Sequence, residues 1–214
     1  MSIHIINRML TQQNIKGQTG IISFDLAGIQ FPVESRDIIG GVLQEWFENW
    51  MIQNNIVFSK KFNSQDWPDF ILSNDEHLEI KAFNYEANPG FDLANFDAYT
   101  RSLINHPERL DSDHLIFGYI AKNRSLQIAE FWVKKIWEMT GPSPTNFLNL
   151  QVKQNNPTNI RPKDWRGKSP LFTCRRDFVL ALDEALNHFN YSRYNGNWFS
   201  MIEAAYQQKT NSRL

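Results

Sequence analysis

One short stretch constrains this chain more than any other: an apolar run, Leu78, Ile80, Ala82 and Phe83, that carries Glu79 and Lys81 within it. Residues two apart on a β-strand share a face, so Glu79 and Lys81 point one way and Ile80 the other, into a core. Upstream, Phe70-Ile71-Leu72 reads as a second strand, and Ser73-Asn74-Asp75-Glu76-His77 as the turn joining it to a strand over 78–83. The spacing therefore predicts a hairpin. Its turn brings Asp69, which follows Trp67-Pro68, back towards the face that carries Glu79 and Lys81.

Two carboxylates and one ammonium converging on one face suit phosphodiester hydrolysis. Mg²⁺ takes hard oxygen ligands, commonly one or two carboxylates with waters and phosphate oxygens completing the shell. Asp69 and Glu79 are the expected metal ligands, and Lys81 the group that orients or deprotonates water and offsets charge on phosphorus. A surface hairpin with an ordinary Glu/Lys pair would carry the same letters. Against that reading, Pro68 restricts the backbone just before Asp69. Charge placed in an apolar strand is also costly without a purpose.

Composition narrows the rest. The chain has 214 residues, 42% hydrophobic and 21% charged, which is enough to bury a sizeable core in one α/β domain spanning 1–214. No apolar run is long enough to cross a bilayer, and the first residues do not read as a signal peptide. Cys174 is the only cysteine, which excludes an intrachain disulfide and fits a cytoplasmic protein; with five scattered histidines it also argues against structural zinc. The net charge of −1 hides an asymmetry. Between Gln151 and Arg176, Lys153, Arg161, Lys163, Arg166, Lys168, Arg175 and Arg176 are opposed only by Asp164. Such a strip suits a polyanion, although basic strips are more often solvated surface.

A pass along the chain predicts a central mixed sheet flanked by helices. Strands are expected at Ile21–Phe24 and Ile29–Val33, around a turn at 25–28. Asp37 is expected to cap a helix whose apolar face holds Ile39, Leu43, Trp46, Phe47 and Trp50. Glu45 lies at the edge of that stripe and is a candidate auxiliary carboxylate; Glu48 reads as solvated. Beyond the hairpin, the pattern predicts a polar loop to Gly90, a helix over Phe91–Ile104, and strands at Leu115–Ala121 and Leu126–Phe131. A helix over Val133–Met139, a strand at Leu148–Lys153 and an irregular loop over 155–170 follow. Helices are then expected at Arg175–Phe189 and Trp198–Tyr206, with a frayed tail from Gln207. Of the seven tryptophans, Trp46, Trp50, Trp132 and Trp137 are expected on helix faces in the core; Trp165, within the basic loop, is expected in a core role, with packing beneath DNA or bridging protomers as the alternatives.

Four longer strings carry a resemblance. They are Ile38-Ile39-Gly40-Gly41-Val42-Leu43-Gln44-Glu45-Trp46, Leu78 to Tyr85, Pro89 to Tyr99, and Asn159-Ile160-Arg161-Pro162-Lys163-Asp164-Trp165. Together they resemble the NgoBV/NlaIV family of type II restriction endonucleases, within the PD-(D/E)xK superfamily, over roughly residues 20 to 190. The resemblance implies a restriction-endonuclease-like core and an Mg²⁺-dependent homodimer that cuts double-stranded DNA at a short palindrome, GGNNCC, without ATP. It also implies a cognate DNA methyltransferase acting on the same site. Asp69, Glu79 and Lys81 take the motif roles, and Glu45 that of the helix carboxylate some relatives use.

Base reading must come from elsewhere in the chain. Guanine presents N7 and O6 to Arg or Lys, and cytosine presents N4 to Asp. The basic segment at about 151–170, following the core strands, is the expected recognition loop. Arg161 or Lys163 is the expected guanine reader and Asp164 the cytosine reader, with Asn159 and Arg166 beside them. Asn84, Asn88 and Asn95, just beyond the catalytic strand, are a second DNA-contact set. Phosphate contact and ordinary turn chemistry would use the same residues. A structure-reading repair or junction-resolving nuclease on the same scaffold, and a non-catalytic DNA-binding protein, are the competing functions. Phe189, Tyr191, Tyr194 and Trp198 are a candidate dimer contact.

Overall fold

The structure, a computed structural model, describes residues 2–33, 35–61, 67–122, 124–189, 194 and 196–214. The chain divides into two compact units, residues 1–89 with 113–134, and residues 90–112 with 135–214.

The first unit is built on a six-stranded sheet in the order β1-β9-β8-β6-β5-β4. Its strands are β1 (Thr19–Gly20), β4 (Phe58–Ser59), β5 (Phe70–Leu72), β6 (His77–Asn84), β8 (Asp113–Lys122) and β9 (Ser125–Lys135). The sheet is mixed: β6 and β8 run parallel, while β4–β5, β5–β6 and β1–β9 are antiparallel. Two helices, α1 (Ile3–Gln12) and α2 (Arg36–Gln53), supply the apolar layer packed with it. Ile3, Ile6 and Leu10 stand three and four apart on α1, and all three are buried. On α2, Leu43, Phe47, Trp50 and Met51 join Leu78 and Ile80 of β6 and Leu115 and Phe117 of β8 in one cluster. Each such buried side chain contributes about 1.5–3 kcal/mol through removal from water. β8 is buried almost along its whole length, as a strand covered on both faces must be. A separate hairpin, β2 (Ser23–Leu26) and β3 (Ile29–Pro32), turns on Ala27 and Gly28, both at positive φ.

The second unit holds β7 (Ala94–Asn95), β10 (Leu150–Lys153) and β11 (Asn156–Ile160), in the order β10-β11-β7. Its helices are α3 (Phe96–Asn105), α4 (Arg175–His188) and α5 (Trp198–Thr210). Tyr99 and Leu103, Phe178 and Leu182, and Trp198 and Ile202 form their buried faces. The Trp198 indole donates to the Thr100 carbonyl. Asp111 accepts from both the Arg175 guanidinium and the Tyr206 hydroxyl.

Several sequence expectations need correction. The segment expected to be helical from Val133 continues β9 to Lys135 and ends in a 3-10 turn over Ile136–Glu138. The run Phe131-Trp132-Val133 favours a pleated surface, and Trp132 stacks on Phe83 and Tyr85 rather than lining a helix. The expected loop over 155–170 begins as β11, because Gln154 and Asn155 adopt positive φ and close a two-residue hairpin onto β10. The helix expected from Phe91 starts only at Phe96; Asn95 caps it by accepting from the Ala98 N–H. Ser35, not Asp37, precedes α2. α5 runs on to Thr210, past the expected fraying point at Gln207. No helix is expected from the sequence over Ile3–Gln12, yet Ile3, Ile6 and Leu10 keep a helical spacing there and are buried. Among the candidate dimer residues, Trp198 is buried and Tyr191 lies outside the described residues.

Candidate active site

The strand β6 orders three charged groups. Glu79 and Lys81 lie on its face opposite the buried Leu78 and Ile80, and the Lys81 ammonium stands 3.3 Å from a Glu79 carboxylate oxygen. Both side chains are largely enclosed, at 13% and 22% exposure. Asp69 arrives from the end of β5. The β5–β6 ladder pairs Phe70 with Leu78 and Ile71 with His77, which leaves the Ile80 N–H beyond the last paired residue. Asp69 fills that gap, its Oδ2 accepting from the Ile80 N–H at 2.7 Å. One backbone bond thus ties the aspartate to the strand that carries the other two groups.

The electrostatics of this corner are unusual for a carboxylate. Burial, and then the neighbouring Glu79 charge, push the Asp69 pKa up to about 6; the Ile80 N–H, Lys81 and the Gln44 side chain of α2 pull the other way. Two half-buried carboxylates close enough to disfavour one another's ionisation are relieved by a cation. Among the described residues, no group of three or more His, Cys, Asp or Glu side chains gathers to hold a metal alone. Two carboxylates suit an ion that keeps waters and phosphate oxygens in its shell.

α2 places its other polar residues differently from expectation. Gln44 is the α2 residue that approaches Asp69. Glu45 is exposed, and its backbone carbonyl accepts from Asn49. Glu48 pairs with Lys60 at 2.7 Å. Gln44 adjoins Glu45 in sequence, and only its place beside Leu43 on the buried stripe distinguishes it there.

The polar residues expected to read DNA carry internal bonds. In the first unit, Asn84 ends β6 and accepts from the Glu86 N–H, and Asn88 is exposed. In the second, Asn95 caps α3. Asn159 donates to Asp92 and Gln151, and Arg161 donates to the Gly90 carbonyl and pairs with Asp92 at 2.7 Å. Lys163 donates to the Pro142 carbonyl. Asp164 and Arg166 form a fork of two side-chain bonds, and that guanidinium holds the Asp164 carboxyl below its ordinary value. Trp165 is buried against Phe91, in line with the expected core role.

Comparison with known proteins agrees over the full length. A model of the NgoBV restriction endonuclease family matches residues 1–214. The type II restriction enzyme NlaIV of Neisseria lactamica is 36% identical, over 98% of this chain and 90% of its own. The type II restriction enzyme NgoBV of Neisseria gonorrhoeae is 33% identical over 70% of this chain and 88% of its own. The solved structure of NlaIV restriction endonuclease superposes with a TM-score of 0.89 at 34% identity, covering all of this chain and 91% of that one. The mixed sheet with its corner of acids is therefore a restriction-endonuclease-like core, and the chain belongs to the NgoBV restriction endonuclease family, whose members are type II site-specific deoxyribonucleases.

Proposed function

We propose that this chain is a cytoplasmic, Mg²⁺-dependent endonuclease that acts as a homodimer, without ATP, and cleaves both strands of duplex DNA at the palindrome GGNNCC. A DNA methyltransferase acts on the same site. The observation that carries the reading is the meeting of Asp69, Glu79 and Lys81 at the edge of β6. Asp69 and Glu79 would hold the ion. When bound, it supplies Lewis acidity at the scissile phosphate and a more acidic water. Lys81 orients the attacking water through its ammonium hydrogens and offsets the negative charge that grows on the phosphoryl oxygens. Its bond to Glu79 keeps it aimed there before substrate arrives. The Ile80 N–H holds one Asp69 oxygen, which leaves the other for the ion. Glu45, exposed on α2, would act from the rim.

In this reading residues 1–214 work as one nuclease domain, and the segment at about 151–170 reads the site. Arg161 or Lys163 recognises guanine and Asp164 cytosine. Asn159 and Arg166 support them, and Asn84, Asn88 and Asn95 contact the backbone near the cut. The test is digestion of plasmid DNA by purified protein in Mg²⁺, followed by sequencing of the ends. Discrete fragments ending at GGNNCC, with none formed in chelator, are expected. A smear, or cleavage that ignores sequence, would overturn the reading.

A further inference from the structure

The β2–β3 hairpin has a face that no described residue covers. Cross-strand pairs share a face, and here Phe24 stands opposite Phe31 and Leu26 opposite Ile29. The four side chains form one apolar surface, with the two rings 5.6 Å apart. Ser23, Asp25, Gln30 and Pro32 form the other face. Alternation this clean is what a strand shows when one side is meant to be buried. Yet Phe24, Leu26, Ile29 and Phe31 are 46%, 64%, 69% and 50% exposed. The hairpin joins no other sheet among the described residues, and a two-stranded hairpin by itself is marginal in water.

We propose that this face is where two copies of the chain meet. The inference rests on the homodimer reading above and locates its interface. Three observations favour a second copy over another partner. A two-fold contact uses the same patch twice, so a patch of one charge sign would repel its copy, whereas an uncharged apolar patch matches itself. The four apolar positions carry no charge, and Asp25, the one charged residue between Ile21 and Val33, lies on the opposite face. Beside the hairpin, Ile21, itself 72% exposed, lines an apolar groove with Ile22, Val42, Trp46 and Leu126. Hairpin and groove together expose roughly 500 Å² of apolar side chain. That is a large part of the ~800 Å² each partner contributes to a stable interface. Finally, the chain holds one Asp69–Glu79–Lys81 site among its described residues, whereas a duplex has two strands to cut.

The test is sedimentation equilibrium of the full chain, without DNA, for wild type, Leu26→Lys and Asp25→Lys, with circular dichroism to monitor folding. Wild type and Asp25→Lys are expected at twice the chain mass. Leu26→Lys is expected at one chain mass, with an unchanged spectrum and with plasmid nicking in place of linearisation. If Leu26→Lys fails to fold, Leu26→Ser and Ile29→Ser provide milder versions of the same test. A Leu26→Lys protein that stays dimeric places the interface elsewhere and leaves the homodimer reading standing. A monomeric wild type overturns both.

Discussion

The hairpin Phe70–Asn84 and the basic segment 151–170 use charge in opposite ways. In the hairpin, like charges are held together: Asp69 and Glu79 are enclosed beside one another, and Asp69 is lifted to about 6 by burial and by its neighbour. In the basic segment, the side chains that could meet DNA bond within the unit: Arg161 to Asp92 and Gly90, Lys163 to Pro142, and Arg166 to Asp164. The hairpin stores an unfavourable arrangement that a cation relieves. The segment holds its cations in satisfied geometry, so phosphate or base must displace a partner. In the proposed function, catalysis draws on the first arrangement, because groups poised to stabilise growing charge are unstable without it. The recognition proposed for the segment tolerates the second, because specificity is a difference between bound states.

The largest effect that would break this contrast lies at Lys81. Lys81→Ala should lower kcat about thousandfold, on the order of 4 kcal/mol, while the Kd for a GGNNCC duplex in calcium stays within about threefold. Cleavage near the wild-type rate would remove Lys81 from the chemistry. Arg161→Ala comes next, with kcat/KM on the cognate duplex expected to fall about 10- to 100-fold as discrimination against altered outer bases relaxes. Unchanged specificity and affinity would make Arg161 a structural partner of Asp92 alone.

Asp69 sharpens the comparison through stability. Its folded pKa lies above the ordinary carboxylate value of 3.8, so the native state binds the proton more tightly than the unfolded chain. Asp69 therefore contributes stability below about pH 4, and that contribution is lost as pH rises through about 6. Glu79 and Lys81 are the charged groups acting on it, with opposite signs. In chelator, Asp69→Asn should raise Tm by several °C at pH 8, on the order of 2 kcal/mol, and by far less at pH 4, while cleavage in Mg²⁺ is lost. Thermal melts across that range decide it, and an equal shift at both pH values would sink the argument. The smallest effect is at the exposed Glu48–Lys60 pair, where Glu48→Gln should cost about 0–1 kcal/mol and leave the rate within about twofold.

What could be read directly was local. Glu79 and Lys81 share a face because strand geometry repeats every two residues, and the hairpin register follows from the apolar residues flanking them. α4, with Phe178, Leu182 and Ala185 buried, was legible for the same kind of reason. Where two local preferences competed, reading failed. Phe131-Trp132-Val133 sits in a pattern that also suits a helix, and pairing within the sheet decided it. Gln44 and Glu45 are neighbours at the edge of one helical stripe, and a 100° step is too coarse to say which reaches Asp69. Gln154-Asn155 carries no glycine, so its mirror-image turn was masked.

The sequence alone determined the pairing of charges on β6, since a two-residue period and an apolar strand suffice to set a carboxylate and an ammonium side by side. It also determined the family, through strings too long to arise by chance. Only the tertiary structure decided what those groups experience: how deeply Asp69 is buried, that the Ile80 N–H holds it, and that Arg161 meets Asp92, far away in the chain. Burial and long-range partners are properties of how segments pack, and no window of sequence contains both sides of a contact.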